Sequence, residues 1–111
     1  MASRDLRRNF RIPYSGVVQV SWEDKGLPGF AQGRCVNLSE DGLRIELSTS
    51  IPVQTMVTIR IPDIKLVGTA WVRHSRRNGL KFSLGLELSQ QLRRSASQTI
   101  KTTVFNALIS S

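Results

Sequence analysis

The sequence predicts an all-β fold: six antiparallel strands curled into a small barrel, with a basic arm ahead of it and one α-helix behind it. Three observations carry that expectation. Apolar and polar residues alternate in short segments, as a half-buried strand requires. Clusters of Gly, Pro, Asn and Asp separate those segments. After Ser89 the apolar period lengthens from two to about four, the helical repeat. A chain of 111 residues fits one domain with a single core.

The elements follow in order. Residues 1–12 lack apolar periodicity and read as a flexible basic arm, and Pro13 marks the start of ordered structure. Val18, Val20 and Trp22 alternate with Gln19 and Ser21 as the first strand. Glu23 to Gly29 is turn-rich and closes a loose hairpin onto a second strand, Phe30 to Val36, in which Gly33 predicts a bulge or bend. Asn37 to Gly42 is a compact polar turn before the third strand, Leu43 to Leu47. Met56 to Ile61 and Ile64 to His74 supply the fourth and fifth strands, divided at Pro62-Asp63.

Arg76-Arg77-Asn78-Gly79 reads as a hairpin turn, since Asn-Gly suits positive backbone dihedrals. Leu80, Phe82, Leu84, Leu86 and Leu88 alternate strictly as the sixth strand. Leu92, Ala96, Ile100, Val104 and Leu108 then line one face of a helix over residues 90–109, with Ser89 as its N-cap. Its threonines and valine are poor helix formers, so packing must hold it, either over an open barrel end or against a second copy. Closure into a barrel removes exposed strand edges. The expected organisation is an arm over 1–12, a barrel over 13–88 and a helical segment over 89–111 of the same domain.

Composition narrows the function. No run approaches the roughly 20 apolar residues of a membrane span, so no membrane insertion is expected. The basic opening leads into no apolar stretch, so no secretory signal is expected either. Cys35 is the lone cysteine, which leaves no disulfide within the chain and suits the cytoplasm. The net charge is +8, and twelve of the sixteen basic residues are arginine, the side chain fitted to bidentate recognition of phosphate or guanine. They cluster at Arg4, Arg7, Arg8 and Arg11, and again at Arg73, Arg76 and Arg77 beside His74. Such clusters imply an anionic partner: a nucleotide, a nucleic acid or an acidic lipid surface. Catalysis is not expected. His74 and Cys35 have no evident partner for a nucleophile–base pair, and His74 is too isolated for a metal site.

Two motifs stand out. One is Arg7-Arg8-Asn9-Phe10-Arg11, with arginines four apart. The other is Asn37-Leu38-Ser39-Glu40-Asp41-Gly42. Arg4/Arg8 and Arg73/Arg77 share the first spacing, and the second motif is also consistent with an ordinary Asx or Ser turn. In combination they resemble the PilZ family, whose members carry RxxxR before the first strand and [D/N]xSxxG after the second. Arg11-Ile12-Pro13 leads directly into strand one, which selects Arg7/Arg11 as the matching pair. Gly68-Thr69-Ala70-Trp71-Val72-Arg73 and Leu84-Gly85-Leu86-Glu87-Leu88 are similar to later strands of the family.

The resemblance implies a split six-stranded barrel that binds cyclic di-GMP and signals to a downstream protein. It implies ligand contacts from Arg7, Arg8, Arg11, Asn37, Ser39 and Gly42, and no cofactor. Guanidinium groups can pair with guanine O6 and N7 or with phosphate, and can stack on a purine. Asn37 presents donor and acceptor to a guanine edge, though family members often have aspartate there, whose charge would grip the guanine N–H donors more firmly. Arg44 is a further candidate beyond the turn. Trp71 either lies against a ligand base or packs on the barrel. Leu6, where another arginine could hold a stacked ligand pair, predicts one ligand per chain. Two other readings stay open. One is a basic barrel that binds nucleic acid, against which stands the scarcity of surface aromatics. The other is a PilZ-like adaptor that binds only protein.

Overall fold

The computed structural model describes residues 11–39 and 41–110. Six antiparallel strands close in the order β1-β2-β3-β6-β5-β4. They are β1 (Arg11–Asp24), β2 (Leu27–Ser39), β3 (Gly42–Leu47), β4 (Met56–Ile61), β5 (Leu66–Asn78) and β6 (Lys81–Leu88), followed by the helix α1 (Gln90–Ser110). The expected all-β class, strand count, closure and C-terminal helix are all present.

The alternation read from the sequence sorts side chains between core and surface. Val18, Val20, Leu38, Leu43, Ile45, Ile59, Val72, Leu84, Leu86 and Leu88 point inward and are buried, and no polar side chain is buried among the described residues. Leu92, Ala96 and Ile100, one stripe of α1, are buried in the same core. The helix therefore covers a barrel end, where Leu92 fits over Gly68 so closely that a Cβ there would stand 2.8 Å from Leu92 Cδ1. Ser89 caps it as expected, its Oγ accepting the Leu92 N–H at 3.2 Å. Among the described residues no helix is long and apolar enough to cross a membrane.

Several boundaries differ from expectation, each for a local reason. β1 begins at Arg11, ahead of Pro13, because Arg11 and Ile12 pair with Ser39 and Leu38. Pro13 is tolerated where β1 has only one neighbour and its register with β2 shifts before Gly16. The loose loop expected over Glu23–Gly29 is instead a tight turn at Lys25-Gly26, with Asp24 paired to Leu27. Both turn residues have positive φ, 53° and 81°, the geometry that matches strand twist. The fifth strand starts at Leu66 because Pro62–Ile64 form a single 3-10 turn and Lys65 turns left-handed. It then runs to Asn78, so Arg76 and Arg77 lie on a strand. The turn itself is Gly79-Leu80, with φ +66° at Gly79, a hairpin that needs glycine at its first position only.

Of the bulge or bend expected at Gly33, there is no bulge. Gly33 pairs regularly with Val18. What it permits is close approach by β3, since a Cβ there would overlap the Glu46 carbonyl oxygen. Besides the shift after Pro13, two irregularities remain: the register shifts between Cys35 and Asn37 on β2, and between Val72 and His74 on β5.

Candidate functional site

Those two irregularities build the site. A bulge inserts one residue, so two consecutive side chains turn outward. On β2, Cys35 and Leu38 stay buried while Val36 and Asn37 between them do not. On β5, Val72 stays buried and both Arg73 and His74 are exposed. Between the two strands run β3 and β6, with Asn37 paired to Arg44, Arg44 to Gly85 and Gly85 to His74. This row crosses four strands on the outer face. It lies beside a buried row of Leu38, Leu43, Leu86 and Val72, which holds it in register.

A cavity of about 260 Å³ lies over this row. Its walls carry Asn37, Ser39, Asp41, Gly42, Arg44, Arg73, His74 and Glu87, with Gly85 among the lining residues. Glycine at 85 leaves the space open, because a Cβ would stand 3.2 Å from His74 Cδ2.

The reversal after β2 is held by one side chain. Ser39 Oγ accepts the Gly42 N–H at 3.2 Å, and its hydrogen points to either the Gly42 carbonyl at 3.2 Å or Asp41 Oδ1 at 3.3 Å. The Asp41 carbonyl in turn accepts the Leu88 N–H at 3.2 Å, fixing the reversal to the end of β6. Gly42 does not have positive φ; it sits opposite Glu87, where a Cβ would come 3.4 Å from the Leu86 carbonyl oxygen. Beneath the turn the Cys35 thiol donates to the Asn37 carbonyl at 3.8 Å. Full burial pushes that thiol up from 9.0 to about 12.

The opposite wall is tied by charge. Glu87 accepts from Arg73 Nε at 2.5 Å and from Arg93 Nη2 at 3.2 Å, linking β5, β6 and the first turn of α1. These groups are half exposed, so they orient Arg73 more than they stabilise the fold. The Arg73 guanidinium stands 6.0 Å from the Trp71 ring centre, within cation–π range.

Of the residues singled out from sequence, Asn37, Ser39, Gly42 and Arg44 line one cavity. Arg11 stands opposite Ser39 in the backbone register at its edge. Trp71 is half-buried on β5 beside Arg73 and does not line the cavity. Arg7 and Arg8 lie outside the described residues. Arg73, His74, Gly85 and Glu87 were not selected from sequence as ligand-binding residues. A signal for Gly85 did exist, because a glycine at an outward position of a strictly alternating strand marks close approach. A bulge at Arg73 leaves no comparable trace.

A family model described as the PilZ domain matches residues 5–106. The chain belongs to the PilZ family. Two solved PilZ structures share its fold. One is the PilZ domain of CeSA from a cellulose-synthesizing bacterium, 19% identical, covering 86% of this chain and 98% of that one, with a TM-score of 0.61. The other is the PilZ domain with c-di-GMP of YcgR from Escherichia coli, 15% identical, covering 88% and 91%, with a TM-score of 0.58. No curated protein sequence matches the chain. The second PilZ motif spans the Ser39-held reversal on the cavity wall, and the first ends on Arg11, which pairs with Ser39 in the backbone register.

Proposed function

We propose that this PilZ domain is a non-enzymatic receptor for cyclic di-GMP, held between the N-terminal arginines and the reversal after β2. Arg7, Arg8 and Arg11 take phosphate or guanine from one side. Asn37 reads a guanine edge, Gly42 lets the backbone approach, and Ser39 keeps the reversal in shape. Arg44 and Arg73 add positive charge on the cavity wall. The observation that carries this reading is the pairing of Arg11 with Ser39, which joins the two motifs at the edge of one cavity.

Cavity size supports a clamp. About 260 Å³ is below the roughly 300 Å³ at which small-molecule pockets begin. It suits part of a dinucleotide, with the N-terminal segment covering the remainder. Ordering of that segment on the ligand is the signal passed to a downstream protein. A binding role also fits the chemistry, since the Ser39 hydroxyl is engaged by Gly42 and Asp41 and forms no pair with His74 among the described residues.

Calorimetric titration of cyclic di-GMP into the wild type and Arg7→Ala/Arg11→Ala tests the reading. Each lost bidentate contact costs about 1–3 kcal/mol of affinity. Absence of binding by the wild type overturns it, and salt-sensitive binding of oligonucleotides without preference for the guanine dinucleotide supports a nucleic-acid role instead. Unchanged hydrogen exchange over residues 1–12 at saturating ligand overturns the clamp alone.

A further inference from the structure

The second arginine cluster is only partly used by the cavity. Arg73 lines it, but Arg76 and Arg77 continue along β5 toward the opposite end of the barrel. That end is formed by the β1–β2 turn, the β3–β4 connection and the β5–β6 turn, since the strands run antiparallel from the ligand end. Two of them carry an exposed apolar side chain at the turn: Leu27 at 70% and Leu80 at 90%.

The β5–β6 hairpin extends beyond both of its neighbours, since β4 leaves β5 at the Met56–Trp71 pair. β3 ends at the Leu47–Phe82 pair, beyond which come only the Asn78–Lys81 pair and the turn. Strand alternation puts Arg76 and Arg77 on opposite faces of the hairpin, and Lys81 is exposed beside the apical Leu80. Residues 74–86 contain no acidic side chain. Among the described residues neither arginine forms an ion pair, although Arg77 Nε donates to the Gly79 carbonyl.

We infer that this end of the barrel docks on an anionic lipid bilayer, with Leu80 entering the interface and Arg76, Arg77 and Lys81 contacting headgroups. Charge on both faces of a short hairpin with an apolar apex fits a plane approached tip-first. Polybasic segments gain from the negative surface, and apolar side chains gain from leaving water. A nucleic-acid duplex fits less well. One pair beyond β3 and a turn are too short to lie along a groove, and a phosphate ladder offers nothing to an exposed apolar tip. The inference is independent of the ligand reading, because Arg76, Arg77, Leu80 and Lys81 do not line the cavity.

Co-sedimentation with vesicles tests it on the full chain. Binding is expected to phosphatidylcholine vesicles containing about 30% phosphatidylglycerol, weakening with salt, and not to phosphatidylcholine alone. Arg76→Ser/Arg77→Ser/Lys81→Ser should weaken that binding on the order of a hundredfold, roughly fivefold per charge. All three sites are exposed, so the fold should survive, as retention of the wild-type melting transition would verify. A Leu80→Cys variant labelled with an environment-sensitive fluorophore should shift to the blue on adding anionic vesicles, while buried Cys35 stays unlabelled. Wild-type affinity in the triple variant would assign lipid binding to other arginines and overturn the inference. So would an unshifted label at position 80, or tighter binding of duplex DNA that the triple variant loses and Leu80→Ser leaves unchanged.

Discussion

Gly85 on β6 lies directly across from His74 on β5, and a Cβ at position 85 would stand 3.2 Å from the imidazole Cδ2. The contact is with a side chain that can turn aside, so Gly85→Ala should fold normally. A branched residue should instead fill the cavity between Arg44 and His74. Gly85→Val is expected to lower cyclic di-GMP affinity at least about tenfold, on the order of 1.4 kcal/mol, with little change in melting temperature. Calorimetry together with thermal unfolding separates the two effects, and unchanged affinity would show that the ligand does not use this row.

Ser39 holds the reversal by accepting the Gly42 N–H at 3.2 Å. Ser39→Ala removes that acceptor from a partly buried donor and should cost about 1 kcal/mol of stability. Ligand affinity should fall as well, because the reversal carries Gly42 and orients Asn37. Ser39→Thr keeps the hydroxyl and should recover most of the stability in denaturant unfolding. If Ser39→Ala weakens binding with no loss of stability, the hydroxyl acts on the ligand directly.

Gly33 faces backbone rather than a movable side chain. A Cβ there would overlap the Glu46 carbonyl oxygen, so β2 and β3 must separate to admit alanine. Gly33→Ala should destabilise the barrel by about 3 kcal/mol or more, beyond ordinary overpacking. Equilibrium unfolding in urea measures it, and a loss below about 1 kcal/mol would mean that the crossing relaxes easily.

These sites also mark what was legible in the sequence. Burial of one face makes alternation visible, and Leu84, Leu86 and Leu88 were readable as core for that reason. The Ser89 cap and the helical stripe of Leu92, Ala96 and Ile100 were readable because both are local. Register is not local. That Asn37, Arg44, Gly85 and His74 form one row depends on pairing among four strands. The bulge that turns Arg73 and His74 the same way resembles a frayed strand end in the sequence. Gly33 stands out in the sequence as a glycine within a strand, but the reason for it, the approach of Glu46, lies on a different strand. The motifs reach further than patterning, selecting Asn37, Ser39 and Gly42, which line the cavity, and Arg11, which pairs with Ser39.

Cys35 yields a prediction in pH. Its thiol is fully buried beneath the Asn37 carbonyl, and burial raises it from 9.0 to about 12. The folded state therefore keeps the proton where the unfolded chain releases it. Stability from the neutral thiol is fully present below about pH 9 and is lost as pH rises toward 12. Lysine and tyrosine titrate in the same range, so the measurement is the difference between wild type and Cys35→Ala. The alanine variant should be less stable near neutrality, from the small cavity it leaves, and should lose less on going to alkaline pH. By roughly pH 11 the gap should narrow by on the order of 2–3 kcal/mol. The native thiol should also resist alkylation until denaturant is added, since the thiolate is the reactive form. Rapid labelling of the folded protein, or parallel pH profiles for the two variants, would mean that Cys35 is reached by solvent.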